Sequence, residues 1–461
     1  MAVTLITHNI KNGMVYRQYL ATSDSEIEKM VENAQKAIKD WSKESISSKQ
    51  KILRRISEKL LLEQERIIEA EVSESGKFCD DAKSDVYAAS KMWEMAADIL
   101  GDQDPDAVNN KPKLGDGYEL STPVGVVAMI TPSNYPIIVL SERLPFALAA
   151  GCAIVAKPSE LTPTSTLIVQ QICHQCGIPP EIFAVVIGDG VQSGSKLVSN
   201  KLINMVSFTG STATARDIVS KIDPITVRTS FELGGKNSAV IFEDADVEKA
   251  CESIAYAATI NGGRACIAIS RIVVHSNIVK DVEVLLKQHL IERLAANRTL
   301  NETDLPQPIT KSHQKKLNSW VNSALKLGAN EIVITSNEKN QVAPRIFSNI
   351  SPFVPLFSEE LFAPYLTLNS FEKYEEAIEI ANAGNYGLAG YCWTNSGTIS
   401  ERYSRDIYAG RIWINSDMRR MNIRLPIGGF RDSGNGRELG IDAIKRYTAS
   451  KTVIGTQHLR P

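Results

Sequence analysis

Between residues 118 and 242, β-branched apolar runs of strand length alternate with stretches of helical period. Strands are expected at 118–130, 153–157, 184–187, 205–209, 226–233 and 239–242. Helices are expected at 139–150, 164–176, 191–199, 212–221 and 247–260. Such alternation implies an α/β fold with a doubly wound parallel sheet, whose ligand crevice opens at the carboxyl ends of the strands. Lys157, Gly210 and Glu232 fall at those ends.

The flanks extend this pattern. Residues 23–62 carry Ile27, Met30, Val31, Ala34, Ala37 and Ile38, then Ile52, Ile56 and Leu60, at the spacing of amphipathic helices. A further helix is expected at 84–100, ending near Gly101 and an Asp-Gln-Asp-Pro breaker. After Cys266 a second α/β segment reads as strand 272–275, helix 279–294 and strands 331–335, 365–369 and 390–393. The tail, 451–457, reads as a terminal strand that needs a sheet to join. With 461 residues the chain can bury two large cores. A net charge of −2 gives no reason to expect nucleic acid or an anionic membrane as partner. The longest apolar runs, such as 145–156, are too short to span a bilayer. Seven cysteines and a start without the features of a signal peptide point to reduced thiols and a cytoplasmic protein.

Chemistry concentrates in ATINGGRACIAISR, residues 258–271. Cys266 follows a glycine pair and a basic side chain, so another molecule can approach its thiol closely, and a thiolate there would be a strong nucleophile. Upstream lie Phe231-Glu232-Leu233-Gly234-Gly235-Lys236-Asn237 and Thr131-Pro132-Ser133-Asn134-Tyr135-Pro136. They add a carboxylate at a strand end, where partial burial can raise its pKa into the working range of a general base. They also add an amide, which by itself reads equally well as a turn residue.

These three stretches, with Phe208-Thr209-Gly210-Ser211-Thr212, Ser358-Glu359-Glu360-Leu361-Phe362 and Pro426-Ile427-Gly428-Gly429, resemble the motif set of the aldehyde dehydrogenase superfamily in order and spacing. The likeness is to its hydrolytic branch, which includes succinate-semialdehyde and betaine-aldehyde dehydrogenases. It implies a Rossmann-type cofactor domain at 1–117 and 134–235, a catalytic domain at 236–425, and an oligomerisation arm at 118–133 and 444–461. Residues 426–443 would return to the cofactor domain. It implies Cys266 as nucleophile, Asn134 as amide donor to the oxyanion, and Glu232 as the base that activates water on the thioester. The cofactor would be NAD, with NADP as the alternative, held by Ile130, Ser133, Lys157, Ser159, Glu160, Gly190, Gly210, Ser211, Leu233, Glu360 and Phe362. A carboxylate at Glu160 would repel a 2′-phosphate. No metal is implied, and the expected assembly is a homodimer or homotetramer.

Four positions depart from the family pattern. Ser133 stands where Trp is usual, Ala215 and Ala363 where Gly is usual, and Arg264 where Gln is usual. Arg264 would either lower the pKa of Cys266 or pair with a surface acid. For the small-molecule aldehyde, the lining positions are Tyr135, Glu142, Ile260, Ile267 and Ile427. Members specific for succinic semialdehyde have arginines where this chain has Glu142 and Ile260, which disfavours an anionic substrate. Tyr135 matches one wall of the betaine-aldehyde aromatic box, while Glu142 and Ile427 replace two others. Glu142 would suit a cationic aminoaldehyde, or would be a helix-surface residue paired with Arg143. Two other functions compete: a non-catalytic protein that keeps the fold, and an esterase-like cysteine hydrolase that needs no nucleotide. The segment Cys173-His174-Gln175-Cys176 has no second ligand pair and reads as buried structural thiols.

Overall fold

The computed structural model describes residues 4–102, 117–298, 310–334 and 343–454. The Asp-Gln-Asp-Pro breaker from Gln103 on, and the last three residues of the expected tail strand, lie outside them. A hairpin of β1 (Thr4–His8) and β2 (Val15–Leu20) precedes four helices, Asp24–Trp41, Ile46–Leu62, Gln64–Ser75 and Cys79–Asp102. The first helix starts where local chemistry dictates. Ser23 Oγ accepts from Glu26 N at 3.4 Å, and Glu26 Oε2 accepts from Ser23 N at 2.8 Å, a reciprocal capping box. Its buried residues, Ile27, Val31, Ala34 and Trp41, follow the helical period.

β3 (Gly117–Pro123) and β4 (Val126–Ile130) correct the single strand and the arm expected at 118–133. β4 lies in the first large sheet, where Val126–Met129 are fully buried. Gly125 separates the two strands with a φ of +127°, and a side chain there would strike Asn204. Only β3 runs out to pair, antiparallel, with the terminal strand. The apolar run hides this break because both halves are strand.

The first sheet continues with β5 (Ala153–Lys157), β6 (Phe183–Val185), β7 (Met205–Thr209) and β8 (Arg228–Glu232). Its order is β6-β5-β4-β7-β8, and every pairing is parallel. The chain builds outward from β4 in one direction and then from β7 in the other, so the switch between them opens a crevice at the carboxyl ends. The second sheet has the order β11-β12-β13-β10-β9-β14-β15. It comprises β9 (Asn237–Ile241), β10 (Ile269–His275), β11 (Asn330–Val333), β12 (Arg345–Ser348), β13 (Tyr365–Phe371), β14 (Ala389–Trp393) and β15 (Arg411–Ile414). Only the β11–β12 pairing is antiparallel. β16 (Thr448–Ile454) pairs with β3 in a two-stranded ribbon.

The helix expected at 139–150 is two helices, Pro136–Ser141 and Leu144–Ala150. Pro145 sits in the first turn of the second, where its missing N–H costs nothing. The break turns Glu142 and Arg143 into the interior. Likewise 191–199 forms a π turn, Gly190–Gly194, followed by a short helix, Ser195–Val198. Among the described residues no helix is long and apolar enough to cross a membrane.

Candidate active site

Cys266 follows a left-handed turn in which Asn261, Gly262 and Gly263 have φ of 47°, 66° and 74°. Glycine enters this region freely and Asn tolerates it. A side chain at position 263 would collide with the backbone of Ala363 and Pro364. The half-buried thiol belongs to a residue whose carbonyl accepts from Asn237 Nδ2 at 2.8 Å. A Cβ at Gly235 would lie 2.5 Å from that same oxygen, so the glycine lets the segment after β8 pass directly against the nucleophile turn. Burial, and then the carboxylates of Glu142, Glu360 and Glu232, push the Cys266 thiol well above its usual range. The thiol is therefore protonated at neutral pH and needs activation to react.

Asn134 is buried beside this turn, its Nδ2 donating to the Arg264 carbonyl at 2.9 Å. One N–H is used there and the other remains to be offered to a substrate oxygen. Glu232 ends β8 at 8% exposure, and its Oε1 has no partner among the described residues. Side chains at Gly428 and Gly436 would fall 2.8 and 2.9 Å from that oxygen, so two glycines form the slot that holds the carboxylate. Burial raises the pKa of Glu232 and Glu438 raises it further, while Arg143 opposes them. A carboxylate raised in this way is a stronger base toward water than an ordinary one.

Arg143 and Glu438 form a buried ion pair at 3.2 Å beneath Glu232. Glu438 also accepts from Ser230 Oγ at 2.8 Å and Tyr447 Oη at 3.3 Å. Nothing local in the sequence marks Glu438, which joins the site from 206 residues downstream of Glu232 only when the chain returns to the first sheet. The surface pair of Glu142 with Arg143 is corrected. Their closest approach is 4.0 Å and the Glu142 side chain is 12% exposed. Burial raises the Glu142 pKa to about 7, against the pull of Arg143 and Arg411.

Both expectations for Arg264 are also corrected. Its side chain is buried and donates to Asn261 O at 2.9 Å, Asn261 Oδ1 at 2.6 Å and Ser75 O at 2.7 Å. No carboxylate pairs with it among the described residues, and the groups that act on the Cys266 thiol do not include it. The departures at Ala215 and Ala363 are harmless to the backbone, since neither residue needs a positive φ.

The expected cofactor residues gather along the crevice. Ile130, Lys157 and Glu232 end β4, β5 and β8, with Ser133 just beyond β4 and Leu233 just beyond β8. Lys157 Nζ is buried, 3.6 Å from Glu160 Oε2 and 3.1 Å from the Pro158 carbonyl, while Ser159 Oγ accepts from Leu161 N at 3.3 Å. Gly190 opens the π turn. Gly210 N donates to Glu232 O at 3.2 Å, and Ser211 caps the helix Thr212–Val219 by accepting from Thr214 N at 3.1 Å. Glu360 packs over Gly234 and receives one long hydrogen bond, 3.4 Å, from Gly235 N. Burial lifts its pKa to about 7. Phe362 follows with a φ of 52°. These groups fit a dinucleotide. Lys157 and Glu160 present a donor and an acceptor side by side, and Glu360 keeps acceptor capacity for a pair of hydroxyls.

Among the expected substrate positions, Tyr135 has a buried hydroxyl with no partner among the described residues and Lys77 Nζ 4.7 Å from its ring centroid. Lys77 is held by Glu71 at 2.7 Å and Asp85 at 2.6 Å. Burial raises the pKa of the Tyr135 hydroxyl, and Asp85, Asp81, Tyr256 and Cys266 add to it. Ile260 is half-buried at the start of the left-handed turn. Ile267 and Ile427 are buried; the carbonyl of the first accepts from Tyr391 Oη at 2.7 Å, and the backbone of the second pairs with Glu438. Cys173 and Cys176 are buried, and no group of three or more metal-ligating residues occurs among the described residues.

A cysteine, an amide and a buried carboxylate beside the carboxyl ends of a parallel sheet form a combination to compare with known proteins. The profile of the Aldehyde dehydrogenase family matches residues 4–453. A pea peroxisomal aminoaldehyde dehydrogenase is 32% identical over 450 residues, covering 94% of this chain and 88% of its own length. A 2-hydroxymuconic semialdehyde dehydrogenase from Pseudomonas is 30% identical over 466 residues, covering 96% and 94%. A betaine aldehyde dehydrogenase from Staphylococcus aureus, solved with NAD+, superposes with a TM-score of 0.90 at 28% identity, over 99% of this chain and 93% of its own. The non-catalytic and esterase alternatives give way to the reading that the motifs and the crevice share: this chain belongs to the aldehyde dehydrogenase family and is an oxidoreductase that oxidises an aldehyde to a carboxylic acid with NAD(P).

Proposed function

We propose that the chain oxidises a cationic aminoaldehyde with NAD, through a thioester on Cys266 that water then cleaves. The Cys266 thiol gives its proton to water, the thiolate adds to the carbonyl, and Asn134 Nδ2–H with the Cys266 backbone N–H donates to the oxyanion that forms. NAD, when held by the crevice residues, would supply the hydride acceptor. Glu232 then takes a proton from the water that attacks the thioester, and the acid leaves.

The observation that carries the substrate class is the negative surround of the reacting centre. Glu142 acts on Cys266, while Asp85 and Asp81 act on the hydroxyl of Tyr135. Arg143 is committed to Glu438, and Arg411 to the carbonyls of Asn422 and Leu425. Burial outweighs the pull of Arg143 and Arg411 on Glu142, and a positive charge on the substrate would offset that burial. On a panel of neutral, cationic and anionic aldehydes, kcat/KM is expected to rank the cationic ones first. Glu142→Gln should lower that preference about tenfold, the value of roughly one pKa unit of charge interaction. The preference should also fall as pH drops through about 7, where Glu142 takes up its proton. A ranking led by anionic semialdehydes, or one that Glu142→Gln leaves unchanged, rejects this substrate class.

Glu160 beside Lys157 supports NAD over NADP, since a carboxylate there opposes a 2′-phosphate. Glu160→Gln should narrow the ratio of kcat/KM for NAD to that for NADP, and an unchanged ratio would place Glu160 away from the ribose. The exposed β3–β16 ribbon supports a homodimer or homotetramer, because two strands alone are marginal without a sheet to lie against. The free thiols support a reducing, cytoplasmic setting. The division into a cofactor domain, a catalytic domain and an arm is proposed with β4 moved from the arm to the cofactor domain.

A further inference from the structure

The carboxamide of Asn134 is held in an unusual way. Among the described residues its Oδ1 is buried without a partner, so the bond from Nδ2 to the Arg264 carbonyl is the tie that sets its orientation. That carbonyl is itself fixed by a closed circuit. Arg264 donates from Nε to Asn261 O at 2.9 Å and from Nη2 to Asn261 Oδ1 at 2.6 Å. Asn261 Nδ2 donates at 3.0 Å to the backbone carbonyl of Asn134, which closes the ring. Asn261 is fully buried and Arg264 is 1% exposed, so water does not compete for these bonds. A third guanidinium bond, to Ser75 O at 2.7 Å, ties the circuit to the carboxyl end of the helix Gln64–Ser75, where a cation is favoured.

We infer that Asn261 and Arg264 are positioning residues for the oxyanion donor, which fix the amide plane of Asn134 so that its second N–H stays aimed at the substrate carbonyl. The left-handed φ of Asn261 fits this role. A non-glycine residue in that region persists when its surroundings over-determine it, and here both its side chain and its carbonyl are bonded to Arg264. The fork of the guanidinium can serve two acceptors on one residue and a third on another, geometry that a single planar amide at position 264 lacks. Stabilisation of an oxyanion depends on donors that need no reorganisation when charge develops, so loosening the amide should slow the addition step.

This inference rests on the reading of Asn134 as oxyanion donor, and the test separates the two. Asn134→Ala, Asn261→Asp and the double variant are compared by kcat/KM for aldehyde oxidation and by the rate at which iodoacetamide alkylates Cys266, a displacement that builds no oxyanion. Asn261→Asp keeps an acceptor for Arg264 and removes the N–H given to Asn134. Asn134→Ala is expected to lower kcat/KM by about 10²–10³-fold. Asn261→Asp should lower it about tenfold or more, and the double variant should be no slower than Asn134→Ala alone. Alkylation should stay within about twofold throughout. Should Asn261→Asp not fold, Arg264→Gln carries the same comparison. Normal turnover in Asn261→Asp with a slow Asn134→Ala overturns the positioning role and leaves the donor standing. Losses that multiply in the double variant, or alkylation that slows in parallel, also overturn it, because Asn261 would then act on the whole nucleophile turn. Normal turnover in Asn134→Ala removes the donor, and the inference with it.

Discussion

Cys266→Ala should reduce NADH formation by about 10⁴-fold or more, the loss expected when the nucleophile of a covalent mechanism is removed. A free aldehyde has no electron pair placed to expel hydride. Adding sulfur to the carbonyl creates the alkoxide that does, so no neighbouring group can substitute for the thiol at useful rates. The three carboxylates that raise the thiol, Glu142, Glu360 and Glu232, remain in the variant, as does every group in the crevice. NAD affinity, followed by quenching of protein fluorescence, should therefore stay within about twofold. The half-buried side chain becomes smaller and gives up a bond from the Ile267 backbone N–H, so stability should change by about 1 kcal/mol. NADH formation near the parent rate would remove Cys266 from its role. Loss of nucleotide affinity together with activity would mean that the substitution disturbs the turn against Ala363 and Pro364 rather than the chemistry.

Much of the first sheet was legible because its strands and helices are punctuated locally. Helix Thr164–Cys176 and strand β7 lie where period and turn residues put them. The misplacements share a cause. At 118–130 two strands of opposite fate are joined by Val124 and Gly125, and at 139–150 two helices are joined by a two-residue turn, so the apolar pattern runs on while the backbone changes direction. The unforeseen helices Lys311–Lys326, Tyr374–Asn382 and Gly397–Asp406 bury only a few side chains each, so few apolar residues mark them in the sequence. In the site, Cys266, Glu232 and Asn134 each sit in a distinctive local stretch and could be singled out. Arg143, Glu438 and Asn261 could not, because their meaning lies in pairings between distant segments. Arg143 meets Glu438 across 295 positions, and Asn261 reaches Asn134 across 127. Glu142 shows the same limit, since only the break before Pro145 reveals that its carboxylate faces inward.

Those long-range pairings set the electrostatics of the second half-reaction. Glu232 is held above the carboxylate range by burial first and by Glu438 second, with Arg143 moderating both. Glu438 is held in place by Arg143, Ser230 and Tyr447. Removing one partner of such a buried pair leaves the other uncompensated, which is more damaging than the net value of the pair.

Glu232→Gln should therefore separate the two halves of the reaction. The amide fills the same slot between Gly428 and Gly436 and cannot take a proton from water. Addition of the thiol and loss of hydride do not require that proton transfer, so mixing with NAD and aldehyde should give a burst of NADH approaching one equivalent of sites. The steady state that follows should be slower by about 10²–10⁴-fold, the usual contribution of a general base. In the parent enzyme the deacylation rate should fall as pH drops through the raised pKa of Glu232, because the protonated carboxyl cannot accept. That fall should disappear in Glu232→Gln. An unchanged steady-state rate would reject Glu232 as the base. A lost burst would instead place the carboxylate in the first half-reaction, where its proximity to Cys266 would make it the group that deprotonates the thiol.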